Sequence, residues 1–165
     1  MTIHHVRAEP SVQVRRVAVT DPEAEPLLLG LEEEYTARYG RNNELNRYPP
    51  QEFAPPFGAL LLLVERGTVV AGGAFRRYDE HTAEFKRIWT AATHRRRGLA
   101  SRVLVELERE AGARGYRRVY LTTGPRQPEA LGLYLSTGYR PLFDLTADPE
   151  TVGHLPFEKS LAATP

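Results

Sequence analysis

The chain has 165 residues, of which 41% are hydrophobic and 26% are charged, and its formal net charge is +1. These values are close to the average of a globular domain and exclude a mainly disordered chain. The absence of cysteine excludes disulfides, thiolate-bound zinc, iron–sulfur clusters and a cysteine nucleophile. No apolar run approaches the roughly 20 residues of a membrane span, and no leader-like segment follows Met1. We therefore expect a cytoplasmic protein without a membrane partner.

The charged residues are unevenly distributed along the chain. Residues 21–52 contain eight acidic residues and three arginines, whereas residues 76–102 contain eight basic and three acidic residues. The small net charge and the short basic cluster argue against a nucleic-acid partner, which would need an extended basic face. We therefore expect one acidic and one basic region that face different ligands.

The N-terminal third predicts a tail, a strand and a helix. We expect residues 1–10 to form a loose tail before a single domain that spans residues 11–165. Valines at alternating positions within residues 12–19 predict the first strand. Asp21, followed by a proline, is a typical N-cap and predicts a helix that ends at Gly40.

A proline-rich connection leads to three predicted strands. Residues 41–57 predict a long loop, of the kind that often binds ligands, with one helical turn at residues 50–53. Residues 60–76 predict a hairpin, in which the glycines at 72–73 indicate a bulge. Residues 82–91 predict the next strand. Regular alternation would place Ala83, Phe85, Arg87 and Trp89 on one face of that strand and Glu84, Lys86, Ile88 and Thr90 on the other.

The second half of the chain alternates helices and strands. Apolar residues at helical spacing predict a helix from Arg97 to Gly115, followed by a strand at residues 119–121. Residues 127–137 predict another helix, and residues 139–143 and 155–161 predict closing strands. The strand–helix–strand order requires a parallel pair. The predicted fold class is therefore α/β, with a mixed sheet of about seven strands flanked by about four helices.

The segment at residues 93–101 joins a predicted strand to a predicted helix and contains Arg95, Arg96 and Arg97. A helix start presents unpaired N–H groups and the positive end of the helix dipole. Gly98 lacks a side chain, so an anion can approach the main chain closely. The segment therefore indicates a phosphate or pyrophosphate site. A basic loop before an ordinary helix is the alternative, and neither the P-loop nor the Rossmann glycine motif is present.

The motif Arg95-x-x-Gly98-x-Ala100 resembles the acyl-CoA signature of the GNAT N-acetyltransferases, Gln/Arg-x-x-Gly-x-Gly/Ala. Residues 129–139 resemble the second helix of that family, with its Ala-x-x-x-Tyr-x-x-x-Gly-Phe/Tyr pattern. The resemblance covers roughly residues 12–161. It implies a GNAT-like fold with one splayed pair of strands, acetyl-CoA as the co-substrate, and no metal.

The resemblance also implies which residues contact the cofactor. The pantetheine arm would pair with main-chain groups near residues 89–91, and the N–H groups of the basic loop would hold the pyrophosphate. Gln127 stands where the family usually has an asparagine that contacts the pantetheine arm. The implied cofactor residues are Trp89, Thr90, Ala91, Arg95, Arg96, Arg97, Gly98, Leu99, Ala100, Ser101, Gln127, Ala130 and Tyr134.

Catalysis by direct attack of an amine on a thioester needs no enzyme nucleophile. Tyr134 matches the family tyrosine that donates a hydrogen bond or proton to the leaving sulfur, and a core tyrosine is the alternative. Glu84 is a candidate base for the amine, and a structural ion pair is an equal alternative. Because the first helix of the family lines the acceptor site, Glu33, Glu34 and Tyr35 are candidates for acceptor binding. A solvated helix face is the alternative for the glutamates.

These observations together predict an N-acetyltransferase that moves an acetyl group from acetyl-CoA to a primary amine in a ternary complex. The alternative is a non-catalytic acyl-CoA-binding sensor or scaffold domain. The acceptor would be a small-molecule or peptide amine, and the C-terminal strands would allow a homodimer through edge pairing. The five histidines show no ligand spacing with carboxylates, so no metal site is predicted.

Overall fold

The computed structural model describes residues 11–162. The predicted tail, residues 1–10, and residues 163–165 lie outside the described residues. The strands are β1 (Val12–Arg16), β2 (Ala59–Glu65), β3 (Thr68–Asp79), β4 (Thr82–Thr90), β5 (Arg118–Thr123), β6 (Arg140–Pro141) and β7 (Leu155–Ser160). The α-helices are α1 (Glu25–Tyr39), α2 (Leu99–Ala113), α3 (Pro128–Ser136) and α4 (Pro149–Val152). Short 3-10 turns lie at Pro22–Ala24, Glu44–Asn46, Pro50–Phe53 and Ala92–His94.

The seven strands form one mixed sheet in the order β1-β2-β3-β4-β5-β7-β6. β4 and β5 are parallel, and α2 connects them, which confirms the predicted parallel unit and the α/β class. One face of the sheet packs against α1, through Leu27 and Leu31. The opposite face packs against α2, through Val103 and Leu107. The sheet therefore has an apolar layer on both faces.

A bulge in β4 shows that the predicted alternation along this strand was wrong. The β3–β4 register passes from Ala74 opposite Lys86 to Gly72 opposite Trp89, so β4 contains one extra residue. The backbone of Arg87 accommodates this residue with φ 61. Side chains beyond the bulge are inverted, because Ile88 joins the α2 face whereas Trp89 joins the α1 face. The bulge lies opposite the two glycines that indicated one.

β4 and β5 separate beyond their first four residue pairs. Their pairing runs from Thr82 opposite Arg118 to Phe85 opposite Leu121, although both strands continue further. Residues 86–90 of β4 therefore have no β5 neighbour along one edge. Main-chain groups at such an edge are available to a ligand. This is the splayed pair that the resemblance implied.

Other predicted elements differ in length from those of the structure. Asp21 caps the first 3-10 turn by accepting a hydrogen bond from the main-chain N–H of Glu23 at 2.9 Å. The predicted turn at Pro50–Phe53 is present, and a second turn at Glu44–Asn46 was not predicted. β6 has two residues, and the main-chain N–H of Leu142, which follows it, donates to the carbonyl of Pro156 at 2.9 Å. α4 was not predicted.

Candidate active site

The loop between β4 and α2 exposes main-chain N–H groups. Arg96 and Gly98 both have left-handed backbone conformations, with φ of 65 and 74. The main-chain N–H of Arg102 bonds to the carbonyl of Gly98 at 3.1 Å, so the N–H groups of residues 99–101 have no partner within the helix. A left-handed turn that leads into a helix start forms a concave cluster of donors suited to an anion.

A groove of about 480 Å³ runs from this loop along β4 to α3. We call it the loop groove. All of the cofactor residues predicted from the sequence line it, except Ala91 and Arg97. Its lining residues are Glu34, Arg38, Ile88, Trp89, Thr90, His94, Arg95, Arg96, Gly98, Leu99, Ala100, Ser101, Gln127, Glu129, Ala130, Leu133 and Tyr134.

The two exceptions are held by other partners. The Arg97 guanidinium makes a bidentate ion pair with Glu65, at 3.1 Å and 2.6 Å. This interaction keeps the pKa of the Glu65 carboxyl below its usual value. The main-chain N–H of Ala91 donates to the carbonyl of Val70 at 2.8 Å. Neither the Arg97 side chain nor the Ala91 N–H is therefore directed to the loop groove in this structure.

Trp89 lines the loop groove, but its indole also packs tightly on α1. A Cβ on Gly30 would lie 2.2 Å from the indole nitrogen of Trp89, so the close approach of α1 to β4 requires glycine there. The side chain of Trp89 thus positions α1, and its main chain lies at the unpaired edge of β4.

Gln127 lies immediately before α3 and borders the gap between the splayed strands. Its Oε1 accepts hydrogen bonds from the Gly124 N–H at 3.1 Å and from the Tyr39 hydroxyl at 3.2 Å. A Cβ on Gly124 would lie 1.8 Å from the Tyr39 hydroxyl, so this contact depends on glycine. Because Oε1 is occupied, the amide nitrogen of Gln127 is the group that can donate to a ligand.

A second cavity of about 440 Å³ lies on the other side of the gap, and we call it the tyrosine cavity. It is lined by Tyr35, Tyr39, Asn42, Glu44, Leu45, Tyr48, Phe85, Lys86, Arg87, Ile88, Thr122, Thr123, Gly124, Pro125, Arg126, Gln127, Tyr134, Glu150, Gly153 and His154. Ile88, Gln127 and Tyr134 line both this cavity and the loop groove. A molecule bound in the loop groove and a molecule bound in the tyrosine cavity would therefore meet at these three residues.

Tyr134 lies at this junction and is 6% exposed. Its ring packs against Tyr139 and Phe157, with ring centroids 5.7 Å and 5.4 Å apart. Within residues 11–162 its hydroxyl has no hydrogen-bond partner. Burial is the main cause of a raised pKa of Tyr134, and the nearby Tyr35 and Glu34 raise it further. The hydroxyl is therefore protonated at neutral pH and able to donate.

The charged groups of the tyrosine cavity come from four parts of the chain. Lys86 and Arg87 lie on β4, and the Lys86 ammonium is 3.7 Å from a carboxylate oxygen of Glu44. Arg126 pairs with Glu150 at 2.9 Å. Sequence reasoning missed Glu44, for which the only signal was its place in the long connecting loop.

None of the acidic residues predicted from the sequence lines the tyrosine cavity. Glu84 is 5% exposed, forms an ion pair with Arg76 at 2.8 Å, and lines neither cavity. Glu33 is exposed and also lines neither, whereas Glu34 lies in the loop groove, 3.4 Å from Arg38. The structure thus agrees with the alternative that Glu84 forms a structural ion pair.

Tyr35 is the one residue of the predicted acceptor group that lines the tyrosine cavity. Burial, followed by the charges of Glu44 and Glu34, raises its pKa, so it is an uncharged phenol at neutral pH. In the described part of the chain, no three His, Asp or Glu side chains are grouped so that they could hold a metal ion. None of the helices within residues 11–162 is both long and apolar enough to span a bilayer.

A comparison with known protein families identifies the family of this chain. The model of the acetyltransferase (GNAT) family matches residues 26–139. The chain therefore belongs to this family, which confirms the resemblance seen in the sequence. It is 38% identical over 92 residues to the uncharacterized N-acetyltransferase YsnE of Bacillus subtilis strain 168. That match covers 52% of this chain and 61% of the length of YsnE.

Solved structures share the fold over almost the whole chain. A Klebsiella pneumoniae protein assigned as an acyl-CoA N-acyltransferase is 26% identical, with a TM-score of 0.71, covering 92% of this chain and 98% of that one. The PaiA N-acetyltransferase of Thermoplasma acidophilum, in complex with coenzyme A, is 14% identical with a TM-score of 0.69 and covers 91% and 99%. A GNAT acetyltransferase of Elizabethkingia anophelis, with acetyl-CoA bound, is 16% identical with a TM-score of 0.62 and covers 91% and 98%. The last two likenesses show the fold alone.

Proposed function

We propose that this protein transfers an acetyl group from acetyl-CoA to a primary amine while both are bound. The observation that carries the proposal is the junction of the loop groove and the tyrosine cavity at Tyr134, beside the unpaired edge of β4. Acetyl-CoA would occupy the groove and the amine would occupy the cavity. Family membership supports the proposal, as do the relatives with coenzyme A and acetyl-CoA bound.

The cofactor would bind through the loop and the free strand edge. The N–H groups of residues 99–101 and the side chains of Arg95 and Arg96 would hold the pyrophosphate, helped by the dipole of α2. The pantetheine arm would run along the edge of β4 at residues 88–90, where β5 leaves the main chain unpaired. This path brings the thioester to Tyr134.

The reaction would proceed by direct attack. The amine nitrogen bonds to the thioester carbonyl carbon, the C–S bond breaks, and its electron pair leaves on sulfur. The proton that the nitrogen loses after attack passes to the departing sulfur, directly or through water. A main-chain N–H at the β4 edge would stabilise the developing oxyanion. A thiol has an ordinary pKa of about 8.5, below that of a phenol, and burial raises the pKa of Tyr134. Tyr134 therefore stabilises the thiolate mainly by donating a hydrogen bond.

The amine must lose a proton before it attacks. Lys86, Arg87 and Arg126 line the tyrosine cavity, and nearby cations lower the pKa of a bound ammonium. We propose that Glu44, and not Glu84, accepts this proton, directly or through water, because the partly buried carboxylate of Glu44 lines the cavity.

The test is release of free thiol from acetyl-CoA across polyamines, amino acids, aminoglycosides and peptides, with calorimetry of coenzyme A binding. We expect binding, and turnover with at least one class of amine. Binding without turnover across the panel would instead support a non-catalytic acyl-CoA-binding domain. An absence of binding would refute both.

A further inference from the structure

Arg87 is a buried cation with no carboxylate in direct contact. It is 8% exposed and, with Glu84, is one of two charged residues among the described residues that are buried. Glu84 is paired with Arg76, but among residues 11–162 no carboxylate lies within ion-pair distance of Arg87. Native proteins rarely bury an arginine without such a partner.

The hydrogen bonds of the Arg87 guanidinium are also incomplete. Its Nη2 donates to the carbonyl of Leu45 at 2.8 Å, and its Cζ lies over the ring of Phe53, 4.4 Å from the ring centroid. Its Nη1 is the one buried side-chain nitrogen or oxygen of the described residues that has no hydrogen-bond partner. Leaving a buried donor unpaired is unfavourable, so this atom indicates a missing acceptor.

The position of Arg87 connects this missing acceptor to the proposed reaction. Arg87 lines the tyrosine cavity and directly precedes Ile88, which lines both cavities. It also occupies the β4 bulge with a left-handed backbone, a conformation that is uncommon outside glycine and that concentrates at ligand sites.

We propose that Arg87 binds a carboxylate of the acceptor, so that the amine substrate is a free amino acid. The carboxylate would pair with the guanidinium of Arg87, which lines the cavity and whose Nη1 lacks an acceptor, and would add a negative charge beside it. This inference rests on the proposed function, because it names the class of amine that the tyrosine cavity takes.

The charge and size of the cavity agree with such a substrate. Its lining holds three cationic side chains against two carboxylates, of which Arg126 and Glu150 neutralise each other. Glu44 lies 3.7 Å from Lys86 and acts on Arg87 only over a longer distance, which leaves the lining with one more cation than carboxylates. A cavity of about 440 Å³ is within the range of small-molecule sites. Such a cavity favours an acceptor that carries a negative group beside its amine.

The experiment compares matched acceptors in the thiol-release assay. Each α-amino acid of a panel is measured against its own carboxamide, which keeps the amine and the side chain but removes the charge. We expect kcat/KM for the wild-type protein to be at least about tenfold higher with the free acid, since hydrogen bonds to charged groups are the strong ones. Equal or better use of the carboxamides would overturn the proposal and leave the acetyltransferase function intact.

Variants of Arg87 identify the group that recognises the carboxylate. We expect Arg87→Met to lower kcat/KM for the acids at least about tenfold more than for the carboxamides, chiefly through KM. Arg87→Lys should recover part of the loss. The control is Arg77→Gln, an exposed arginine on β3 that lines neither cavity, and it should keep the wild-type preference. An equal loss for acids and carboxamides in Arg87→Met would refute the assignment.

A binding measurement separates this inference from the proposed function. Calorimetry of the amino acid panel into the wild-type protein saturated with coenzyme A should detect binding that the carboxamides lack, even if no acceptor turns over. If acceptors turn over but no free acid binds in preference to its carboxamide, the carboxylate proposal fails alone. If Arg87→Met does not fold, Arg87→Lys and the wild-type comparison still decide the question.

Discussion

Replacement of Tyr134 by phenylalanine tests the role of the hydroxyl at the junction of the two cavities. The ring would keep its packing on Tyr139 and Phe157, and no hydrogen bond within the described residues would be lost. The fold should therefore persist. A hydrogen bond to a charged group contributes about 1.5–3 kcal/mol, which corresponds to a decrease of about tenfold to about 150-fold in rate.

Because this hydrogen bond strengthens only as the thiolate forms, kcat and kcat/KM should fall together, while the Kd of coenzyme A stays within about twofold. Initial rates of thiol release and calorimetry measure these quantities. The pKa of Tyr134 is raised by burial, so the wild-type rate should show no decline from its ionisation below about pH 10.

Tyr139→Phe is the matched control for this experiment. The hydroxyl of Tyr139 bonds to Glu108 at 3.2 Å, and the residue lines neither cavity. Its removal should lower the free energy of unfolding by about 1–3 kcal/mol without changing kcat. A kcat of Tyr134→Phe within twofold of the wild-type value, in folded protein, would show that the reasoning about the leaving group is wrong.

Three further predictions concern the loop, the buried ion pair and pH. Gly98→Ala and Gly115→Ala both place a side chain at positive φ and should each lower the free energy of unfolding by about 1–2 kcal/mol. Calorimetry should show coenzyme A binding at least about tenfold weaker in Gly98→Ala alone, because only Gly98 lines the loop groove. Glu84→Gln removes a buried partner of Arg76 and should lower the free energy of unfolding by about 1–3 kcal/mol in denaturant titrations, with kcat within twofold. A main-chain hydrogen bond, followed by one from Arg38, lowers the pKa of Glu129. Its charged form therefore stabilises the fold above the usual carboxyl pKa and loses this effect as the pH falls, so the Tm values of wild type and Glu129→Gln should differ at pH 7 and converge at pH 3.

Each of these predictions has an outcome that contradicts it. Equal weakening of coenzyme A binding in the two glycine variants would mean that the loop acts through stability and not through contact. A loss of kcat in stably folded Glu84→Gln would restore that glutamate as the base. A constant difference in Tm from pH 7 to pH 3 would show that the ionisation of Glu129 is not coupled to folding.

Local patterns in the sequence were sufficient to predict the frame of the cofactor site. Each of these patterns acts over only a few residues. Examples are the N-cap at Asp21 and, for α2, the spacing of its apolar residues and the glycine before it. Such short-range effects can be predicted directly from the sequence. The strand–helix–strand order likewise requires β4 and β5 to be parallel, because a short connection cannot join parallel neighbours. The loop at residues 93–101 follows from these local rules, whereas Tyr134 was singled out by the resemblance to the family motif.

The tertiary structure decided which charged groups line the tyrosine cavity. The bulge at Arg87 inverts the side chains beyond it. The alternation of residue types along β4 does not reveal that the strand contains an extra residue. Arg76, on a neighbouring strand, takes Glu84 into an ion pair, while Glu44 reaches the tyrosine cavity from a loop some forty residues away along the chain. Such contacts depend on packing between distant segments. The burial of Glu84 and Arg87, their partners, and the lack of an acceptor for Nη1 of Arg87 are therefore visible only in the folded chain.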